Sequence, residues 1–192
     1  MFPTTRLKII VAEDDDLQRT YLSLALTKLG HEVFLAEDGL RALELVQQTN
    51  APLVITDLNM PGLDGIELTG AVRALNLDHY VHIVMVTVGE QVADRKKALE
   101  AGVDDFMTKP LDLSRLTARI RAASRIIQHE DLLAERNRKL KEAKDRIEED
   151  LRAAADAQRR LLPDIRGDVL GFRVASAFVP SSFVSGDMFG CF

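Results

Sequence analysis

The chain has 192 residues, 46% of them hydrophobic and 29% charged, with a formal net charge of −5. That is the composition of an ordinary soluble protein, long enough for one typical domain and something more, and its acidity argues against nucleic acid as the main partner. A single cysteine, Cys191, excludes an internal disulfide framework. No apolar stretch approaches the roughly 20 residues that span a bilayer, and the start, Met-Phe-Pro-Thr-Thr-Arg, lacks a signal-peptide layout. A cytoplasmic protein with no membrane or nucleic-acid partner is expected.

In chain order, Lys8–Ala12 reads as a buried strand that runs directly into four acids, Glu13-Asp14-Asp15-Asp16. Asp16–Leu29 reads as a helix ended by Gly30, Glu32–Ala36 as a second strand, and residues 39–48 as a helix with apolar positions Leu40, Leu43 and Val46. Leu53–Thr56 leads into Asp57 and the loop Asn59-Met60-Pro61-Gly62, followed by a helix over Asp64–Leu75. Val81–Val86 is a β-branched strand, Gln91–Ala101 a helix closed by Gly102, and Asp105–Thr108 a short strand before Lys109-Pro110. Asp112 or Ser114 caps a final helix. Five strand–helix repeats demand an α/β fold: a doubly wound parallel sheet with right-handed crossovers and helices on both faces.

The helical pattern continues past Leu116. Residues 123–162 contain no Gly or Pro, and Ile126, Leu133, Leu140, Ile147, Ala154 and Leu161 recur every seven residues. Such a repeat marks a coiled-coil seam, and a parallel homodimer is the expected state. The second seam position is poor (Glu130, Asn137, Lys144, Leu151, Gln158), so a long surface helix packed on one side is the alternative. Leu162-Pro163 ends the helix. Residues 172–175 and 177–180 then read as strands in a stretch too short to form its own core.

Adjacent carboxylates repel unless something neutralises them, and the cheapest neutraliser is a divalent cation with oxygen ligands. Acids in the first turn of a helix are the plain alternative. The acidic run has companions, however. Glu13/Asp14, Asp57, Thr87 and Lys109 all fall at strand ends, which converge on one crevice in a doubly wound sheet. Together they suit phosphoryl transfer. Asp57 is placed as the nucleophile that forms an acyl phosphate. Glu13, Asp14 and Asp57, with a backbone carbonyl near Asn59, are placed to hold Mg²⁺; Lys109 and the Thr87 hydroxyl would bond the new phosphate. His31, His79, His82 and His129 are scattered and read as surface or packing residues rather than zinc ligands.

These residues carry a resemblance. Val11-Ala12-Glu13-Asp14-Asp15, the segment Asp57 to Gly65, Val86-Thr87 and Lys109-Pro110, with 30 residues from Asp57 to Thr87 and 52 to Lys109, resemble the receiver domain of two-component response regulators over residues 6–122. The resemblance implies a flavodoxin-like five-stranded sheet in the order 2-1-3-4-5. It also implies that Asp57 accepts phosphate from a histidine kinase, with Glu13 and Asp14 as the acidic metal pair. Phe106 falls where the family keeps a switch aromatic. Phosphorylation would draw Thr87 inwards and let that ring rotate, remodelling the face of helix 4, strand 5 and helix 5, through which dimerisation is expected.

A second resemblance covers Ala157 to Pro163, Val179-Pro180 and Val184-Ser185-Gly186-Asp187, which look like the entry to bacterial PPM-type Ser/Thr phosphatases. It implies Asp187 as a ligand of a Mn²⁺ or Mg²⁺ pair and a phosphorylated anti-sigma antagonist as a possible substrate. The later ligand segments are absent, so no two-metal centre can form within these residues. The organisation read is a receiver (1–122), a helical coiled-coil linker (123–162) and the start of an output domain (163–192). On this reading the receiver controls the phosphatase through a dimeric linker; a receiver-based adaptor or sequestration protein with an inactive output domain is the alternative. No basic helix-turn-helix follows the receiver, which disfavours a DNA-binding regulator.

Overall fold

The computed structural model describes residues 6–89, 92–161, 166–169 and 172–175. Five parallel strands, β1 (Lys8–Ala12), β2 (Glu32–Ala36), β3 (Leu53–Asp57), β4 (His82–Thr87) and β5 (Asp105–Thr108), form one sheet in the order β2-β1-β3-β4-β5. The central register pairs Ile10 with Phe34 on one side and with Val54 on the other. All five residues of β3 are buried, which explains why it reads as an unbroken apolar run.

The connections are α1 (Asp16–Lys28), α2 (Gly39–Thr49), α3 (Gly65–Ala74) and α4 (Val92–Ala101), and α5 (Leu113–Leu161) follows the last strand. Alternate strand residues feed two faces. Ile9, Val11, Ile55, Val84 and Val86 pack against Leu22 and Leu26 of α1 and against Leu116, Ile120, Ala123 and Ile127 of α5. Ile10, Val54 and Ile83 meet α2 and α3 through Leu45, Val46, Leu68 and Val72, while Met85 packs with Ala98 of α4 and Val103. Burying each such aliphatic side chain contributes about 1.5–3 kcal/mol, so the two apolar layers hold the strand ends in place.

Local chemistry sets the boundaries. The side chains of Asp15, Asp38 and Asp64 accept from the backbone amides of Gln18, Arg41 and Glu67, capping α1, α2 and α3, and Asp64 with Glu67 forms a capping box. Asp112 accepts from the Arg115 amide, so it, rather than Ser114, caps α5. After α1, Gly30 takes φ +92°, a conformation that costs other residues free energy. Strand β4 lies one residue later at each end than its sequence suggests. The α4 helix is described from Val92.

The chain separates into two compact units, Met1–Ala134 and Glu135–Phe192, with α5 contributing to both. In the second unit the helix is followed by an antiparallel pair, β6 (Arg166–Val169) and β7 (Phe172–Ala175), with Gly167 opposite Val174. Strand β7 coincides with an expected strand, while β6, polar and containing Gly167, has no apolar pattern to announce it. The strand expected at 177–180 and Asp187 lie outside the described residues. No helix among the described residues is long and apolar enough to cross a membrane.

Candidate functional site

The acidic run divides its labour. Asp15 caps α1 through a 2.8 Å bond from the Gln18 amide, and Asp16 pairs with Arg19. Glu13 and Asp14 remain for the crevice at the end of β1. Arg19, which sequence reasoning did not single out, fixes their backbone: its guanidinium donates to the carbonyls of Glu13 (2.6 Å) and Asp14 (3.2 Å). Its position three residues after Asp16 on the same helix face was the available signal.

Asp57 ends β3. One carboxylate oxygen accepts from the Leu58 amide at 2.6 Å, and the Thr56 hydroxyl donates to the Asp57 carbonyl at 2.9 Å. The loop that follows folds back through the Gly65 amide to the Leu58 carbonyl, 2.9 Å. Gly65 allows this close return: a Cβ there would lie 2.3 Å from the Asp57 carbonyl oxygen. Buried Met60 anchors the loop, and Asn59 is exposed at its surface.

Lys109, at the end of β5, joins the carboxylates. Its ammonium lies 2.5 Å from Asp57 Oδ2 and 3.1 and 3.2 Å from the two oxygens of Glu13. The Lys109 amide also extends the sheet by donating to the Thr87 carbonyl, and the Lys109–Pro110 peptide is cis. Burial pushes the Glu13 carboxyl above its usual range and the neighbouring Asp57 charge adds to this, outweighing Lys109. Burial alone would lower the Lys109 ammonium, but its bonds to Asp57 and Glu13 win and hold it above the ordinary lysine value. The lysine thus sits as a fixed cation between two anions.

Carboxylate oxygens of Glu13, Asp14 and Asp57 lie within 4.8 Å of one another. An all-oxygen, all-anionic set, with one member exposed and open to water, fits a hard divalent cation such as Mg²⁺, which keeps several waters. The Thr87 hydroxyl donates to the Gly89 carbonyl at 3.3 Å rather than to the carboxylates. Phe106 packs half-buried against the cluster of Met85, Ala98 and Val103, and the Arg95 guanidinium sits 4.9 Å from its ring centroid. Beside the carboxylates opens a groove of about 570 Å³ lined by Leu17, Gln18, Tyr21, Lys109, Pro110 and Leu111.

A parallel sheet in this order, with three carboxylates and a lysine at its C-terminal rim, defines a known class. The chain belongs to the response regulator receiver domain family, whose model matches residues 9–121. Among curated proteins it is similar to the response regulator MprA of Mycobacterium leprae, 36% identical over 125 residues that cover 65% of this chain and 54% of that one. It is also similar to the transcriptional regulatory protein TcrA of Mycobacterium tuberculosis, 36% identical over 119 residues, 62% of this chain and 46% of that one. The chain thus spans about half the length of the curated relatives it matches.

Two solved structures agree. The chemotaxis response regulator CheY4 of Vibrio cholerae is 27% identical with a TM-score of 0.59, covering 62% of this chain and 99% of that one. The receiver domain of the sensor histidine kinase PA1611 of Pseudomonas aeruginosa is 27% identical with a TM-score of 0.58, covering 62% and 98%; that structure has a magnesium ion coordinated in its active site cleft.

Proposed function

We propose that the chain is a phosphorylation-controlled switch in which Asp57 accepts a phosphoryl group from a histidine kinase. The observation that carries this is the convergence of Asp57, Glu13, Asp14 and Lys109 at one rim. A carboxylate oxygen of Asp57 attacks phosphorus, an acyl phosphate forms, and the phosphorus–nitrogen bond to the donor histidine breaks, its electron pair returning to the imidazole. Glu13, Asp14 and the Asp57 carboxylate, with the Asn59 carbonyl, would hold Mg²⁺. The bound cation offsets repulsion between the nucleophile and the phosphoryl oxygens. Lys109 already spans Asp57 and Glu13, so its ammonium can pair with the new phosphate without travelling.

Thr87 would leave the Gly89 carbonyl for a phosphoryl oxygen, and Phe106 would turn into the space released, changing the face made by α4, β5 and α5. The groove at Leu17, Tyr21 and Lys109, with Leu17 82% and Tyr21 45% exposed, offers apolar surface where a kinase must approach. The output is read from the sequence: a dimer made through the α4–β5–α5 face and the heptads of residues 123–162, and a PPM-type phosphatase beginning at 163, with Asp187 a ligand of its Mn²⁺ or Mg²⁺. A phosphorylated anti-sigma antagonist would be the substrate, in the cytoplasm.

Radiolabelled acetyl phosphate tests the acceptor. Label incorporated with Mg²⁺ and released by hydroxylamine, which cleaves acyl phosphates, is the expected result; label that resists hydroxylamine, or that persists in Asp57→Ala, contradicts it.

A further inference from the structure

Two contacts touch the switch residues, one from Gly89 after β4 and one from α4. The Gly89 carbonyl accepts the Thr87 hydroxyl. Arg95, in the first turn of α4, lays its guanidinium over the ring of Phe106. Parallel pairing places Phe106 opposite Met85 and Thr87 opposite Thr108, so Thr87 and Phe106 face the same side of the sheet on neighbouring strands. Both contacts therefore bear on the side of the sheet that the proposed switch rearranges.

Arg95 has no carboxylate partner among the described residues; Lys96 pairs with Glu100, and Arg119 of α5 pairs with Asp105. The ring face is thus the described contact of a cation that ordinary surface chemistry would pair with an acid. Residue 106 is Phe, so it has no hydroxyl to read the state of the switch by hydrogen bonding. A cation resting on its face couples to the ring's position instead, because the attraction depends on the guanidinium staying over the π-face.

We infer that Arg95 is a positioning residue, a brake that holds Phe106 half-exposed in the unphosphorylated state and must be released when the ring turns inward. The inference rests on the proposed Thr87–Phe106 switch. Its energetics follow from a two-state equilibrium: a contact made only in the resting state lowers the affinity of any ligand that selects the other state. A cation–π contact at a partly exposed site is worth about 2- to 5-fold in such an equilibrium. Release would also free the guanidinium on the α4–β5–α5 face, where it becomes available to an acidic group.

The test is the affinity of the full chain for beryllofluoride in the presence of Mg²⁺, measured calorimetrically, since this anion mimics a bound phosphoryl group. Arg95→Ala should tighten binding about 2- to 5-fold. Arg95→Lys, which keeps a weaker cation over the ring, should fall between the two. In a Phe106→Leu background the Arg95→Ala gain should vanish, because the contact is already gone. An unchanged affinity, or an equal gain with and without the ring, overturns the brake. Failure of the underlying acceptor site looks different: wild type and Asp57→Ala then bind beryllofluoride alike or not at all, and the brake falls with it. A melting curve for each variant separates a loss of fold from a shift in the switch, since removing an exposed contact should leave the fold intact.

Discussion

At the scale of single residues, four adjacent carboxylates carry different duties: Asp15 caps a helix, Asp16 pairs with Arg19, and Glu13 and Asp14 turn to the crevice with Asp57. Lys109 offsets that negative charge. Its side chain and those of Glu13 and Asp57 are 14%, 1% and 10% exposed, so truncating the lysine leaves buried charge unpaired. Lys109→Met should destabilise the fold by about 3 kcal/mol in urea titration. Millimolar Mg²⁺ should recover part of that loss by binding the native carboxylates; a variant as stable as wild type contradicts this account of the site. The histidines give a pH dependence. Burial pushes His31 and His82 below the ordinary value of 6.5, and Nδ1 of His31 accepts the Leu7 amide. Both are neutral in the fold, so their contribution is intact above about pH 6.5 and is lost as pH falls towards their folded values, while the unfolded chain takes up protons. Each costs up to about 1.4 kcal/mol per pH unit in that window. His31→Gln, which keeps an acceptor for Leu7, should flatten the acid limb of a stability–pH curve; an unchanged limb contradicts it.

At the scale of elements, the centre of the sheet was legible because β1, β3 and β4 are short, nearly continuous apolar runs, the signature of burial on both faces. Glu13, Asp57 and Lys109 were legible for a related reason, since they stand where strands stop. What joins distant elements was not legible. Asp104, just before β5, accepts from Arg73 of α3 at 2.6 Å, from the Ile83 amide of β4 at 2.7 Å and from the Tyr80 hydroxyl. Arg73 also donates to the carbonyls of Gly102 and Val81. No spacing along the chain announces such a clamp, because its parts come from separate segments. His82, read as a surface or packing residue, is fully inside beside it, its Nδ1 3.8 Å from Asp104. The return of the β3–α3 loop makes a sharper prediction. Gly65→Ala puts a methyl group 2.3 Å from the Asp57 carbonyl and 3.2 Å from the Leu58 Cα, backbone atoms that cannot swing aside. The variant should lose at least about 2 kcal/mol of stability and displace Asp57. Amide chemical shifts of Leu58 unchanged from wild type would contradict it.

At the scale of the whole molecule, acids outnumber bases 18 to 13 in residues 1–122, while residues 123–162 hold 9 acids and 10 bases. Within α5 the apolar side chains at Leu133, Leu140 and Ile147 are 50%, 68% and 59% exposed, a stripe that water opposes unless another helix covers it. Pairs such as Glu135–Lys139 at 2.7 Å and Lys144–Glu148 at 3.6 Å add only about 0.3–0.5 kcal/mol each. Leu140→Glu with Ile147→Glu should therefore convert a dimer to monomer in sedimentation equilibrium and lower helical circular dichroism; a wild type that sediments as a monomer contradicts the coiled-coil reading. The proposed switch depends on one bond, between phosphorus and a carboxylate oxygen of Asp57. Intact mass after incubation with acetyl phosphate and Mg²⁺ measures it directly. Wild type should gain one phosphoryl group, while Asp57→Ala and wild type stripped of Mg²⁺ should gain none. An equal mass gain in Asp57→Ala, or no gain in wild type with Mg²⁺ present, would contradict the account.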